Sequence, residues 1–208
     1  MPLTHGRYNV TNPVWSALGQ TVNSNQSAIA ARTNAAWGSL FSLTDASAIT
    51  TTGVSASVPV PVEVGDVITT IGFLVGATAA ATATHSFTAL YSGVPTTPAL
   101  LGQSADNVTA DGGFTASGLR TFTLASPILI TAAIAPTGFI YATMCVTGGT
   151  LPTLASWGTP AAVFYQWLST QPLKGVAAIT HGSAQNAVAA ATIATPTVAA
   201  TTPLVILR

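Results

Sequence analysis

Charge is what this chain has least of. Charged side chains make up 5% of the 208 residues, five basic against five acidic, and the formal net charge is zero; an ordinary soluble domain carries about 25%. The basic residues Arg7, Arg32, Arg120, Lys174 and Arg208 are scattered singly. No basic stripe can neutralise a phosphate backbone, so nucleic acid is excluded as an expected partner. Cys145 is the only cysteine, which rules out an intrachain disulfide. Apolar residues reach 49%, yet none of their runs approaches the roughly 18 residues a membrane-spanning helix needs. Even the charge-free interval from Arg120 to Lys174 is broken repeatedly by Pro, Gly, Ser and Thr. The segment Met1–Val10 has no basic stretch leading into an apolar core, so neither membrane insertion nor a secretory signal is expected.

Reactive side chains are equally sparse. His5, His85 and His181 are the only histidines, and none has a second ligand type at metal-site spacing. The whole acidic supply is Asp45, Glu63, Asp66, Asp106 and Asp111. Glycoside hydrolysis needs two carboxylates flanking a bond, and Asp66 is better explained by its Gly-Asp turn. Asp106 and Asp111 form the one nearby pair, read as a solvated turn in preference to a weak calcium loop. No Gly-x-Ser-x-Gly elbow presents a serine as a nucleophile. The expectation is a protein that is not an enzyme, with no catalytic residues, no metal ligands and no cofactor. Sequons at Asn9, Asn25 and Asn107 carry little weight in a chain so rich in Ser and Thr.

What is present is alternation. In the stretch Ser57–Val64 the side chains of Val58, Val60, Val62 and Val64 occupy every second position, with prolines and Glu63 among the others. That pattern predicts a half-buried strand at a sheet edge. Gly65-Asp66 turns the chain, and Val67, Ile71, Phe73 and Val75 resume the pattern with Thr69 inside the register. His85–Tyr91 alternates again. The run Ala77–Thr84 reads equally as a loop or a flat strand end, and Pro95–Pro98 as a rigid loop. Leu100–Arg120 reads as a long surface crossing with a turn at Asp111-Gly-Gly, followed by short strands at Thr121–Ala125 and Ile128–Ile130 separated by Ser126-Pro127. In Phe139–Val146 the side chains of Ile140, Ala142, Met144 and Val146 point one way and Cys145 the other, as a small hydrophobe. Leu204–Leu207 predicts a last strand held in a sheet. These short strands with turns between them indicate an all-β chain, an antiparallel β-sandwich with a jelly-roll-like arrangement.

Two further segments differ. Asn12-Pro13 reads as a helix N-cap with proline at the first helical position. The sequence from there to about Trp37 carries Trp15, Val22 and Ile29 at seven-residue spacing, with Leu18 on the second seam row and Gly38 as the stop. Residues 1–45 are therefore expected to be an N-terminal helical docking or oligomerisation segment, through Trp15, Leu18, Val22 and Ile29, ahead of a β-sandwich domain at 46–208. The aromatic cluster around Trp157, Phe164, Tyr165 and Trp167 reads chiefly as core packing. Trp157, Tyr165 and Trp167 are also the candidates for contact with a carbohydrate receptor, because their ring faces can stack on a sugar. Trp157, in its Ser-Trp-Gly-Thr-Pro loop, is the one expected at the surface.

The succession Val62-Glu-Val-Gly-Asp-Val-Ile-Thr69, Phe87-Thr-Ala-Leu-Tyr-Ser92, Leu101-Gly-Gln-Ser-Ala-Asp106, Gly118-Leu-Arg-Thr-Phe-Thr-Leu-Ala-Ser-Pro127 and Gly138-Phe-Ile-Tyr-Ala142 resembles β-sandwich modules of tailed-bacteriophage virion proteins. Such modules occur in minor tail and fibre-like appendage proteins, particularly of phages of actinobacteria. The likeness spans roughly Val54 to Val146. It implies a non-enzymatic virion component, often trimeric, assembled in the host cytoplasm and released by lysis. Partners would be sister chains, other tail or capsid proteins, and a host-surface glycan. The alternative placement is a capsid-exterior decoration or head-fibre protein. The resemblance carries no receptor-binding residue onto this chain.

Overall fold

The computed structural model describes residues 32–33, 44–46, 51–94, 97–158, 178–183, 185, 187–199 and 201–208. The chain divides into two compact units, Met1–Ala31 and Arg32–Arg208, and every described residue belongs to the second. The described residues contain no helix; they form strands β1 (Arg32–Thr33), β2 (Thr44–Ala46), β3 (Ser55–Pro61), β4 (Val67–Val75), β5 (His85–Tyr91), β6 (Leu100–Gln103), β7 (Gly118–Leu129), β8 (Phe139–Thr147), β9 (Leu154–Gly158), β10 (Ile179–His181), β11 (Thr197–Val198), β12 (Thr201–Pro203) and β13 (Val205–Leu207). Every pairing is antiparallel, and two sheets result. One runs β11-β10-β3-β8-β5-β6; the other contains β1, β13, β4, β9 and β12, with β2 beside β9 and β7 beside β4.

A single core joins the two sheets. Val58 and Val60 from β3 and Ala142, Met144 and Val146 from β8 meet Ile71, Phe73 and Val75 from β4 and Val205 and Leu207 from β13. Burying each of the larger side chains contributes about 1.5–3 kcal/mol. Along one side an isolated bridge from Ser104 to Leu124 ties the edge strands β6 and β7 of the two sheets together.

β3 departs from the expected edge strand. Its first half is interior, paired with β8 on one side and, through Ser55, Ala56 and Ser57, with β10 on the other. The Val62 N–H donates to Gly138 O at 3.0 Å, so by alternation the even positions face β8 and the odd positions face β10. Pro59 and Pro61 are odd, and β10 ends before reaching them. The prolines therefore sit where the missing N–H removes no ladder bond, and only that half of the strand behaves as an edge among the described residues. The strand stops at Pro61, which leaves Val64 68% exposed in the following turn rather than in the core.

β4 also corrects its expected register. Val67 is 45% exposed and Ile68 is fully buried, because the β4–β7 register shifts between Ile68 and Thr70. Two steps on β4 there face five on β7, and on its other side Thr69 N and Thr70 N both donate to Arg208 O, a one-residue bulge that turns the side chains over. Ile71, Phe73 and Val75 are buried beyond it. On the partner strand the same irregularity absorbs Ser126-Pro127, so the two short strands expected there are one strand, β7. The expected surface crossing Leu100–Arg120 contains β6, and its Phe114 is fully buried, with ring centroids 4.7 Å from Phe122 and 6.3 Å from Phe73. Arg32 and Thr33, inside the segment expected to be helical, are strand residues paired with Leu207 and Ile206.

Candidate functional site

β5 and β8 are buried along nearly their whole length, on both faces. One face fills the core between the sheets. The other carries Phe87, Ala89, Tyr91, Phe139, Tyr141 and Cys145, which pack with Ile179, Ala189 and Ile193 as a second apolar cluster on the outside of the six-stranded sheet. Cys145 thus lies opposite Met144, as the alternation predicts.

On that outer face lies a buried polar constellation. Ser57 on β3 is directly opposite Thr143 on β8. The even positions of β3 make the ladder bonds to β8, so this is a non-hydrogen-bonded pair, whose side chains approach most closely. Their hydroxyls are 2.5 Å apart. Across the other edge, His181 on β10 reaches diagonally past its register partner Ser55 to place Nε2 2.7 Å from Ser57 Oγ. The His181 ring meets Tyr91 edge-on at 5.6 Å between centroids. Ser57 is fully buried, His181 is 3% exposed, and His181 Nδ1 has no hydrogen-bond partner. Burial pushes the imidazole down to about 4. It pushes the Cys145 thiol up to about 11, against a smaller opposing effect of the Ser55 hydroxyl, and raises the Tyr91 hydroxyl further still.

A serine and a histidine in contact invite a nucleophilic reading, but the arrangement lacks what that chemistry uses. No carboxylate orients Nδ1, and neither side chain reaches solvent. What the geometry does is clasp β3, β8 and β10 through side chains as well as through their ladders.

Residues 187–195 cover this face as a strap with little regular structure. Gln103 holds one end: its Nε2 donates to Ala187 O at 3.1 Å and its Oε1 accepts from Ala189 N at 2.8 Å. The Tyr91 hydroxyl donates to Ala190 O at 2.7 Å. Leu100 N donates to Ala191 O, and Ile193 N to Pro98 O. Between the strap and β10 is a cavity of about 560 Å³, lined by Val54, Thr180, His181, Ala190, Thr192 and Thr195 among others.

The remaining titratable groups are spread over separate loops. His85 Nδ1 is 2.7 Å from the Asp106 carboxylate, which also accepts from Ser86 N. The Asp111 carboxylate accepts from Thr109, Gly113 and Thr115 instead, and these bonds, the Thr109 hydroxyl first, hold it at about 2. Asp106 and Asp111 are therefore two separate loop anchors. Among the described residues no group of three His, Cys, Asp or Glu could hold a metal ion. Asp45 fastens β2 to the β4–β5 connection by accepting from Ala77 N at 2.9 Å.

Of the expected contact residues, Trp157 lies on β9, in register with Thr202, and not in a loop; its side chain is outside the described residues, as are Tyr165 and Trp167. Trp15, Leu18, Val22 and Ile29 are also outside them. The clasp was not visible beforehand, because its members are separated by 86 and 124 positions along the chain. The only local signal was Ser55 and Ser57 in the slots between apolar residues. Comparison with protein-family models, with curated proteins and with solved structures gives no match.

Proposed function

We propose that this chain is a non-enzymatic structural protein of a tailed-phage virion, built as a jelly-roll-like β-sandwich behind an N-terminal helical segment. In this reading the sandwich is displayed on a minor-tail or fibre-like appendage and meets a glycan of the host surface. The observation that carries it is the shortage of ionic groups in a well-packed two-sheet body: five acids and five bases in the whole chain. Such a surface can be buried permanently against sister subunits without desolvating charge, which costs several kcal/mol per ion. Val64, Val67 and Leu129 add support. They are 68%, 45% and 55% exposed, and Val67 and Leu129 are register partners, so one end of the body offers apolar contact area. The likeness to phage appendage modules supplies the kind of assembly. Trimers are the favoured state, with the segment bearing Trp15, Leu18, Val22 and Ile29 as the docking element.

Gold-labelled antibody on intact particles, imaged by electron microscopy, tests the placement. Label on the tail is the expected result. Label confined to the shell would replace the appendage by a capsid decoration, and particles without label would overturn the virion reading. Adsorption of particles lacking the protein tests the attachment role separately, and normal adsorption would remove it.

A further inference from the structure

We propose that residues 187–195 form an acid-released strap, triggered by His181: protonating this imidazole frees the strap from the outer face of the six-stranded sheet while the two-sheet core stays folded. The inference stands on the local geometry and does not depend on the virion reading.

A neutral His181 fits its place, with Nε2 on Ser57 and the ring against Tyr91. An imidazolium does not. Both ring nitrogens then donate, and the buried Nδ1 has no acceptor. The surroundings offer the positive charge nothing. β3 contributes Ser55 and Ser57, β8 contributes Tyr141, Thr143 and Cys145, β5 contributes Tyr91, and the covering residues include Gln185, Ala189, Ala190 and Ile193. The titratable groups among these, Tyr91, Tyr141 and Cys145, are neutral in acid. Asp106, beyond the far end of β5, is engaged by His85 and Ser86. A buried charge without a partner is relieved by reaching water.

The strap is the element that can give way. Of its own residues only Ala189 and Ile193 are buried, and its fastenings are the two bonds of Gln103, the isolated bridge of Thr192 to Ala99 and the bond from the Tyr91 ring that His181 supports. The cavity under it already separates it from β10. Its far end carries a conformation suited to a hinge: Thr195, which closes it, has φ +45°, a left-handed conformation that is strained for a β-branched residue.

The sign follows from the neutral buried state. The strap is fully seated above about pH 6.5, and release grows as pH falls towards about 4. Tenfold per pH unit over that window gives an increase of about 300-fold in strap opening. The test is amide hydrogen exchange of the full chain from pH 7 to 4, as protection factors corrected for intrinsic rate. Imidazole NMR of His181 in the same samples gives its midpoint. The expected result is loss of protection at Ala189, Ile193 and Leu100, the amides that bond across to or from the strap, following the His181 midpoint, while β4 and β8 stay protected. The His181→Gln variant, which keeps a donor for Ser57 but cannot titrate, should retain strap protection down to pH 4. A wild-type strap still protected at pH 4, a His181 midpoint near 6.5, or release of the His181→Gln strap at the wild-type pH would each overturn the proposal. Should that variant fail to seat its strap at pH 7, the wild-type comparison of midpoint with release decides alone.

Discussion

Gly93→Ala is expected to be among the most damaging single-methyl changes in this protein. Gly93 follows β5 and lies beneath the carbonyl of Phe139 at the start of β8. A Cβ on Gly93 would stand 1.8 Å from Phe139 O and 2.9 Å from its carbonyl carbon. Even a close C···O contact is about 3.3 Å, so backbone would have to move by more than 1 Å. That movement is resisted, because Gly93 N donates to Ile134 O at 2.8 Å and Thr137 Oγ1 donates to Gly93 O at 2.9 Å. Losing those two bonds costs about 2 kcal/mol, and overpacking adds about 1–3 kcal/mol. The stiffer unfolded chain of the alanine variant returns at most about 1 kcal/mol. The net loss is about 3 kcal/mol, which at a urea m-value of about 2 kcal/mol/M lowers the unfolding midpoint by about 1.5 M. Equilibrium urea unfolding followed by tryptophan fluorescence and circular dichroism measures it. A midpoint equal to that of the wild type would refute the packing of Gly93 against β8. Gly138→Ala serves as the contrast: nothing lies within 4 Å of its added Cβ, and its φ of +78° makes backbone strain the main cost.

Asp111→Ala should loosen the loop that carries Phe114 into the core and cost about 1 kcal/mol, since the carboxylate is partly exposed and its bonds are screened. The Asp111 carboxyl is held low, at about 2, so its contribution is present above about pH 3.8 and disappears as pH falls through 2. The difference in urea midpoint between wild type and variant should therefore shrink between pH 4 and 2; a constant difference would contradict the assignment. Cys145 is 1% exposed with its thiol pushed up to about 11, so a disulfide reagent at pH 8 should label it only in denaturant. Rapid labelling of the folded protein would show that the outer face is open.

Much of the architecture was legible in the chain itself. Period-two alternation placed β5 and β8 within a residue of their ends, and it placed Met144 and Cys145 on opposite faces, because strand geometry imposes that alternation on any chain. The short C-terminal strand was equally plain, since Val205 and Leu207 alternate after Pro203. Alternation says nothing about how many neighbours a strand has. Whether β3 was edge or interior depended on β10, which lies more than a hundred residues away, and only their pairing shows why the prolines fall in the half that β10 does not reach. The bulge that turned Val67 outward was hidden for the same reason: register is a property of two strands and of no single one. The clasp of Ser57, Thr143 and His181 is the extreme case. Scarcity of charge, the lone cysteine and the strand pattern belong to the sequence, because they are local or compositional. The burial of a histidine without a partner for Nδ1 belongs to the tertiary structure, because three distant strands and a covering strap must first come together to exclude water from it.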